Sequence, residues 1–411
     1  MIEKKIAYII GIYTLIQVII LLGLGYTPYP DSQGYITCAQ ESLSHGQFYP
    51  AKEGLYTLPF LWNIGAINTV AFSIKYFHSI IPILIFYTIL KSGIILLTYL
   101  IAYQCFNKKI AYLAIIIAVL YPANYGEATS LLSEIPFVFC ILFGIYTCIN
   151  KKYLAGGILL GCADYFRPIA IIFILAYIVS NIRNYKGYFK VCLTYSMVIF
   201  CIGLGNYMSK GQFIYKAKTG WMALAQYHWT YSTPPKGIEP MSITDNHQLT
   251  YTEKDEVWKR MFFCWLKTHK MEYIKQIPVK IYKTYISDNV NMCAFLSEKD
   301  KKSQYMYNKL SMVSLFRAFP HYSFAQWITL YNLIYYYGLM GFFLLSYRQT
   351  RKVLPLTWNI FAIGTLFIAL VGHGEARFHI PFMPFIIINV AYIINKKYII
   401  NKEQIWHEKF G

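Results

Sequence analysis

The chain is 411 residues long, 56% hydrophobic and 14% charged, where an ordinary soluble domain carries about 25% charged residues. A water-soluble fold cannot cover that much apolar surface, so composition excludes one and points to a bilayer. The formal charge of +19 does not indicate nucleic acid, because the lysines and arginines fall in short clusters between apolar runs and suit an anionic membrane leaflet instead.

The first apolar run, residues 6–25, follows Lys4 and Lys5 and ends in Gly23, Gly25 and Pro28 without a small-x-small cleavage site, which reads as a retained signal anchor. Further runs at 83–104, 110–125, 131–149, 153–163, 167–182, 190–207, 323–346, 353–371 and 379–396 bring the expected spans to about ten, the 153–163 run being short. The fold class expected is therefore an all-α polytopic membrane protein. Lys108 with Lys109, Lys151 with Lys152, Arg183 with Lys186 and Lys190, Arg348 with Arg351 and Lys352, and Lys396 with Lys397 occupy alternate loops. Assigning them to the cytoplasm puts both termini inside, as in a bacterial inner (plasma) membrane. An apolar run from Leu58 to Phe77 would invert every later loop if it crossed, so it is expected to lie along the outer interface as an amphipathic helix.

Three regions follow: an N-terminal transmembrane module (1–207) carrying the first outer loop, an extracytoplasmic polar segment (208–322), and C-terminal helices with a cytoplasmic tail (323–411). In the polar segment Val257, Trp258, Met261, Phe262, Trp265 and Leu266 recur at helical spacing, opposite Glu256, Lys259, Arg260 and Lys267. That helix rests either on the core of a small cap or on the membrane surface. The nine cysteines have no C-x-x-C spacing, and Cys105, Cys140, Cys148, Cys192 and Cys201 fall inside apolar runs as small core hydrophobes. Cys264 and Cys293 share the polar segment and could pair if it faces an oxidising compartment, and the sequence leaves that pairing open.

With the topology fixed, the ionisable residues at helix ends gather on the outer side, and such groups are costly in lipid. They are Asp31, Glu127, Glu134, Asp164, Arg167, His373, Glu375 and Arg377, with Lys91 near the outer part of its span. Each has a plainer reading. Asp31 can cap the helix after it, Arg167 and Lys91 can snorkel to headgroups, and Arg377 can neutralise Glu375. His373 and His379 lack the H-E-x-x-H spacing and would need carboxylates from other loops to hold a metal, so a divalent cation stays open. Trp221, Tyr227, His228, Trp229 and Tyr231 suit an aromatic sugar platform or an interfacial belt equally.

These segments resemble the GT-C superfamily of polyprenyl-phosphate-sugar glycosyltransferases, nearest to bacterial relatives of protein O-mannosyltransferases and lipid A aminoarabinose transferases. Asp31-Ser32-Gln33-Gly34-Tyr35 through Ala39 to Gly46 is similar to that family's first outer loop, which places Asp31 at the catalytic aspartate and brings Tyr35 into the substrate site. Leu131 to Phe139 resembles the segment with a second acid, at Glu134; Asp164 to Ile169 resembles the Arg-Pro segment, at Arg167. Trp265 to Tyr282 resembles the helical stretch before the later spans. Glu375 to Pro384 resembles the late Arg-Tyr-x-x-Pro segment, with Phe378 in the Tyr position. Ser32 replaces the second acid of an Asp-Glu pair, and Tyr56-Thr57-Leu58-Pro59 lacks the Lys-Pro-Pro of the aminoarabinose branch, which leaves the donor sugar and any metal open.

The resemblance implies inverting transfer of a sugar from a polyprenyl-phosphate donor to a hydroxyl of a glycan, lipid or protein acceptor. Asp31 would be the general base. Glu134 would orient the acceptor or a neighbouring cation, and Lys91, Arg167 and Arg377, with Glu375, His373 and Tyr35, would bind substrate. A flippase for lipid-linked sugars, an envelope-glycan polymerase or ligase with a pyrophosphate donor, and a scaffold subunit are the competing readings; charged groups at one face rather than at the midplane weigh against the flippase.

Overall fold

Apolar runs can sit in lipid only if the backbone satisfies its own hydrogen bonds, which a single segment achieves as a helix. The structure, a computed structural model, describes residues 3–50, 61–231, 249–288, 295 and 324–396, and among these every regular element is helical. In chain order they are α1 (Lys4–Leu24), α2 (Pro30–Ser44), α3 (Ile64–Phe77), α4 (Ile81–Cys105), α5 (Lys108–Leu120), the single turn α6 (Ala123–Gly126) and α7 (Glu134–Ile149). Then come α8 (Tyr153–Phe166), α9 (Ile171–Ser180), α10 (Tyr185–Lys210), α11 (Gly220–Tyr231), α12 (Tyr251–Thr268) and α13 (Lys270–Tyr285). The chain continues with α14 (Phe324–Leu345), the single turn α15 (Tyr347–Thr350), α16 (Pro355–Val371), a 3₁₀ stretch (Ala376–Phe382) and α17 (Met383–Ile394).

Helices stand at every expected apolar run. Five stretches, Lys4–Leu24, Ile81–Cys105, Tyr185–Lys210, Trp327–Leu345 and Ala376–Ile394, are long and apolar enough to cross a membrane. The apolar helices α7, α8, α9 and α16 are shorter. The outward faces of α1 (Tyr8, Ile12, Leu15, Ile19, Leu22) and α10 (Phe189, Leu193, Met197, Phe200) are apolar and exposed, as lipid-facing surfaces of a helical membrane protein are. Cys105 and Cys201 lie on such exposed faces and Cys140 and Cys192 are half-buried, so of the five only Cys148 is the core residue that composition suggested. The helix boundaries have local causes. Asn107 caps α5 by accepting from Ile110 N at 3.0 Å, Asn184 caps α10 at Gly187 N, and Thr250 with Glu253 forms a capping box on α12.

α4 packs on α1, α5 and α7; α8 lies between α7 and α10; α9 packs on α16, and α17 on α5 and α14. Small residues permit the tightest of these contacts. A Cβ at Gly157 would lie 2.0 Å from the Thr194 hydroxyl and 2.3 Å from the Val191 carbonyl of α10, so α8 and α10 can touch backbone to backbone only with glycine there.

The basic helix junctions meet one another. Glu3 pairs with Lys108 at 2.9 Å, Asn184 donates to Tyr153 Oη, Asn359 donates to Ser180 Oγ, and Phe106 packs on Tyr392. The other helix ends form the opposite group, where Thr27 N bonds Thr129 O at 2.9 Å.

α3 is 14 residues long, the same length as α8, so length does not set it apart from the expected spans and its course rests on the loop alternation. It buries Ile64, Ile67, Val70 and Ala71 and exposes Phe72, Tyr76 and Phe77, the amphipathic pattern expected of it. α12 buries Trp258, Phe262 and Trp265, and the last two form a cluster with Leu224 of α11, Tyr273 of α13 and Val371. Of the two surfaces that sequence left open, its apolar face rests on protein. α13 runs along α16 and the 3₁₀ stretch, so the polar segment is joined to the helix bundle. Cys293, with which Cys264 shares the polar segment, and Tyr56 to Pro59 lie outside the described residues.

Candidate functional site

The ionisable residues that sequence grouped by topology are brought to the site by four helix ends. Pro30 starts α2 with its fixed φ, and Asp31 stands in the first turn, where the helix dipole favours an acid. Asp31 is not the cap that its plainer reading made it: the N-cap is Tyr29, and no side chain bonds the α2 terminus. Glu134 opens α7, and Arg167 closes α8. The turn after Arg167 is fixed by Asp164, which accepts from Ala170 N at 2.6 Å and from the Tyr195 hydroxyl. Gly374, at φ +73°, lets the chain turn against α13. A Cβ there would lie 2.7 Å from the Lys280 carbonyl oxygen, so only glycine allows His373, Glu375 and Arg377 to reach the site.

Arg377 is the centre. Its Nη1 donates to Asp31 Oδ2 at 2.5 Å; its Nε lies 3.0 Å from Glu375 Oε1, without hydrogen-bond alignment, and 3.8 Å from Glu134 Oε1. Arg167 pairs with the same Oε1 of Glu134, so one carboxylate oxygen holds two guanidinium groups side by side. Tyr29 donates its hydroxyl to Glu375 Oε1 at 3.4 Å, and His373 Nε2 lies 3.2 Å from Glu375 Oε2. The guanidiniums sit over rings, Arg377 over Tyr29 at 5.5 Å and Arg167 over Phe378 at 5.8 Å. Neither arginine snorkels away.

Behind this layer Asn63 donates to the Tyr35 hydroxyl at 2.8 Å and to Ser133 Oγ at 3.2 Å, and Ser133 donates to Glu134 Oε2 at 3.4 Å. Glu134 is thus held at both oxygens and is 1% exposed, whereas Asp31 and Glu375 are each 22% exposed. The outer two carboxylates can meet a solute, whereas Glu134 is shielded from it and faces the arginines. Tyr35 is buried and its hydroxyl bonds within this inner network.

Burial opposes ionisation of Glu375, but the Arg377 charge and the His373 contact outweigh it and lower its pKa from 4.5 to about 2. Three carboxylates therefore face two guanidiniums and one imidazole in a site partly removed from water. Such a constellation can bind an oxyanion through the arginines and accept a proton at an outer carboxylate.

Lys91 is not with them. It is buried on α4, paired with the buried Glu127, and it neither snorkels nor reaches the arginines; its charge is already neutralised where it stands. This pair lines a cavity with Tyr121, Asn124, Asp288 and Glu134, so Glu134 is the wall between the two clusters. His379 also points away from the arginines, bonded to Asp288 and the Thr284 carbonyl. Among the described residues no group of three His, Cys, Asp or Glu side chains is arranged to hold a metal, and the site's carboxylates are turned onto arginines, so the residues do not fit a divalent cation as they stand.

Trp221 packs on Phe262 and Phe263 in the α11–α12 cluster rather than forming a sugar platform, and the side chains of Tyr227, His228, Trp229 and Tyr231 lie outside the described residues. Sequence reading missed Tyr29, Asn63 and Ser133, whose neutral side chains carry no charge pattern to find them by. It also missed Lys280, which is almost fully buried on α13, with its pKa pushed down by burial to about 8 and its ammonium 5.4 Å over the Tyr273 ring. No family model, no curated protein and no solved structure matches the chain.

Proposed function

We propose that the chain is an inverting glycosyltransferase that moves a sugar from a polyprenyl-phosphate donor to a hydroxyl on the non-cytoplasmic side of a membrane. The observation that carries the reading is the meeting of Asp31 and Arg377 beside Arg167, Glu134 and Glu375 at the helix ends remote from the basic junctions. A phosphate leaving group departs as an anion without a proton, so it calls for cations more than for a general acid. An arginine has five N–H donors, and those of Arg377 and Arg167 not turned to carboxylates are suited to phosphate oxygens.

In the proposed step the acceptor oxygen attacks the anomeric carbon and the carbon–oxygen bond to phosphate breaks. Its electron pair leaves on the polyprenyl phosphate, and the hydroxyl proton passes to Asp31. Arg377 engages Asp31 Oδ2, which leaves Oδ1 for that proton. No covalent enzyme intermediate is needed, and the anomeric centre inverts. His373 and Glu375 hold Arg377 from the far side. No step is assigned to Lys91 or to a metal.

The topology belongs to the same reading. Ten spans place the basic junctions in the cytoplasm and the site outside, with α3 along the outer interface and α13 of the polar segment beside the site. The acceptor is a glycan, lipid or protein of the cell envelope, and the membrane is a bacterial plasma membrane. The similarity to the GT-C superfamily supports this through the order of the Asp31, Glu134, Arg167 and Arg377 segments along the chain. The test is to incubate the purified protein in nanodiscs with a polyprenyl-phosphate sugar and a membrane-glycan extract. Release of polyprenyl phosphate with the label passing to acceptor is expected. Movement of intact carrier across a vesicle without cleavage would replace this reading with that of a flippase.

A further inference from the structure

The 3₁₀ stretch that carries Arg377 also carries His379, and at three residues per turn two positions apart point to different sides. Arg377 faces the acid cluster. His379 is fully buried in the opposite direction, between the end of α13 and α14. Its Nδ1 lies 2.8 Å from the Thr284 carbonyl, which only accepts, so that nitrogen donates; its Nε2 lies 3.1 Å from Asp288 Oδ1. The proton between imidazole and carboxylate ties the two side chains whichever atom carries it. Tyr336 stacks on the ring at 5.0 Å and 30°, and Tyr285 at 6.0 Å and 26°. Asp288 is in turn held by the Tyr121 hydroxyl, and its carbonyl accepts from Asn332 at 3.3 Å. The imidazole is therefore bonded at both nitrogens and flanked by rings, so it has one position.

We propose that His379 is a positioning residue for Arg377: it fixes the 3₁₀ stretch to the end of α13, so the polar segment sets where the guanidinium stands relative to Asp31. The proposal rests on the functional reading above for its consequence, since a reacting geometry misplaced by about 1 Å can cost on the order of 100-fold in rate. The tie itself is independent of that reading. It also gives α13 a purpose that sequence did not reveal, because Tyr273 donates to the Leu370 carbonyl at 2.7 Å and Tyr285 bonds Thr365, which fastens the same helix along α16.

The test labels the full chain in nanodiscs with phenylglyoxal and follows modification of each arginine by peptide mass spectrometry. His379→Phe keeps a ring between the tyrosines and removes both hydrogen bonds; Asp288→Leu keeps the branched shape and removes both oxygens, so nothing at position 288 can bond His379 Nε2. In both, Arg377 is expected to react several-fold faster than in wild type, while Arg351, remote from the site, is unchanged. If His379→Phe does not fold, Asp288→Leu carries the same comparison. Unchanged Arg377 labelling in a folded variant, or equal acceleration at Arg351, overturns the proposal. Where transfer is measurable, His379→Phe is expected to add little to the loss in an Arg377→Lys background, and full additivity would instead indicate a merely structural role. Faster Arg377 labelling in a protein that never cleaves donor would retire the functional reading and keep the tie.

Discussion

Arg377 Nη1 lies 2.5 Å from Asp31 Oδ2, across 346 positions of chain. One residue stands in the first turn of α2 and the other in the 3₁₀ stretch before α17, so the contact is a property of the whole bundle rather than of either segment. Around it, Glu134 and Glu375 complete a shell in which every charge faces an opposite one. Partly buried charges require such pairing, and this pairing gives the site its geometry.

Glu134 is expected to matter through the arginines it bridges. Glu134→Gln keeps the shape and removes the charge that holds Arg167 and Arg377 together, so the two guanidiniums separate. Steady-state kinetics should show the donor KM rising and kcat/KM falling about 10- to 100-fold. An unchanged donor KM would mean that the arginines do not bind the phosphate as a pair.

The Lys91–Glu127 pair is expected to behave as structure. Removing one partner, as in Lys91→Met, leaves a buried carboxylate uncompensated and should cost about 3–5 kcal/mol. The double replacement Lys91→Met with Glu127→Leu should recover most of that loss. Thermal unfolding in nanodiscs reads the stability, and the donor KM of the double variant should match wild type. A raised KM in a stable double variant would return Lys91 to the substrate site.

How much of this was legible in the sequence depended on the kind of signal. Asp31, Glu134, Arg167, Glu375 and Arg377 are charges at the ends of apolar runs, and fixing the loop alternation was enough to group them. Lys91 lies inside a span and pairs with Glu127, 36 positions away, and nothing in periodicity says which acid a buried lysine will meet. The α12 helix was visible from its apolar spacing, but its resting surface depends on Leu224 and Val371, which only the tertiary fold brings together. Asn63 and Ser133 are neutral and leave no pattern.

The pH dependence follows from Glu375. Its folded pKa, about 2, is below the ordinary value of 4.5, so its contribution to stability is complete above about 4.5, shrinks as pH falls toward 2, and is gone below that. Between pH 5 and 3 wild type should therefore lose thermal stability more steeply than Glu375→Gln. Parallel melting curves for the two proteins across that range would show that Arg377 and His373 do not hold the carboxylate ionised.

The most direct measurement compares wild type with Asp31→Asn in nanodiscs, following both donor binding and label transfer to acceptor. The amide can still accept from Arg377, so donor binding should persist, while transfer should fall about 10²–10⁴-fold with loss of the base. Wild-type transfer by a properly folded Asp31→Asn protein would contradict the account.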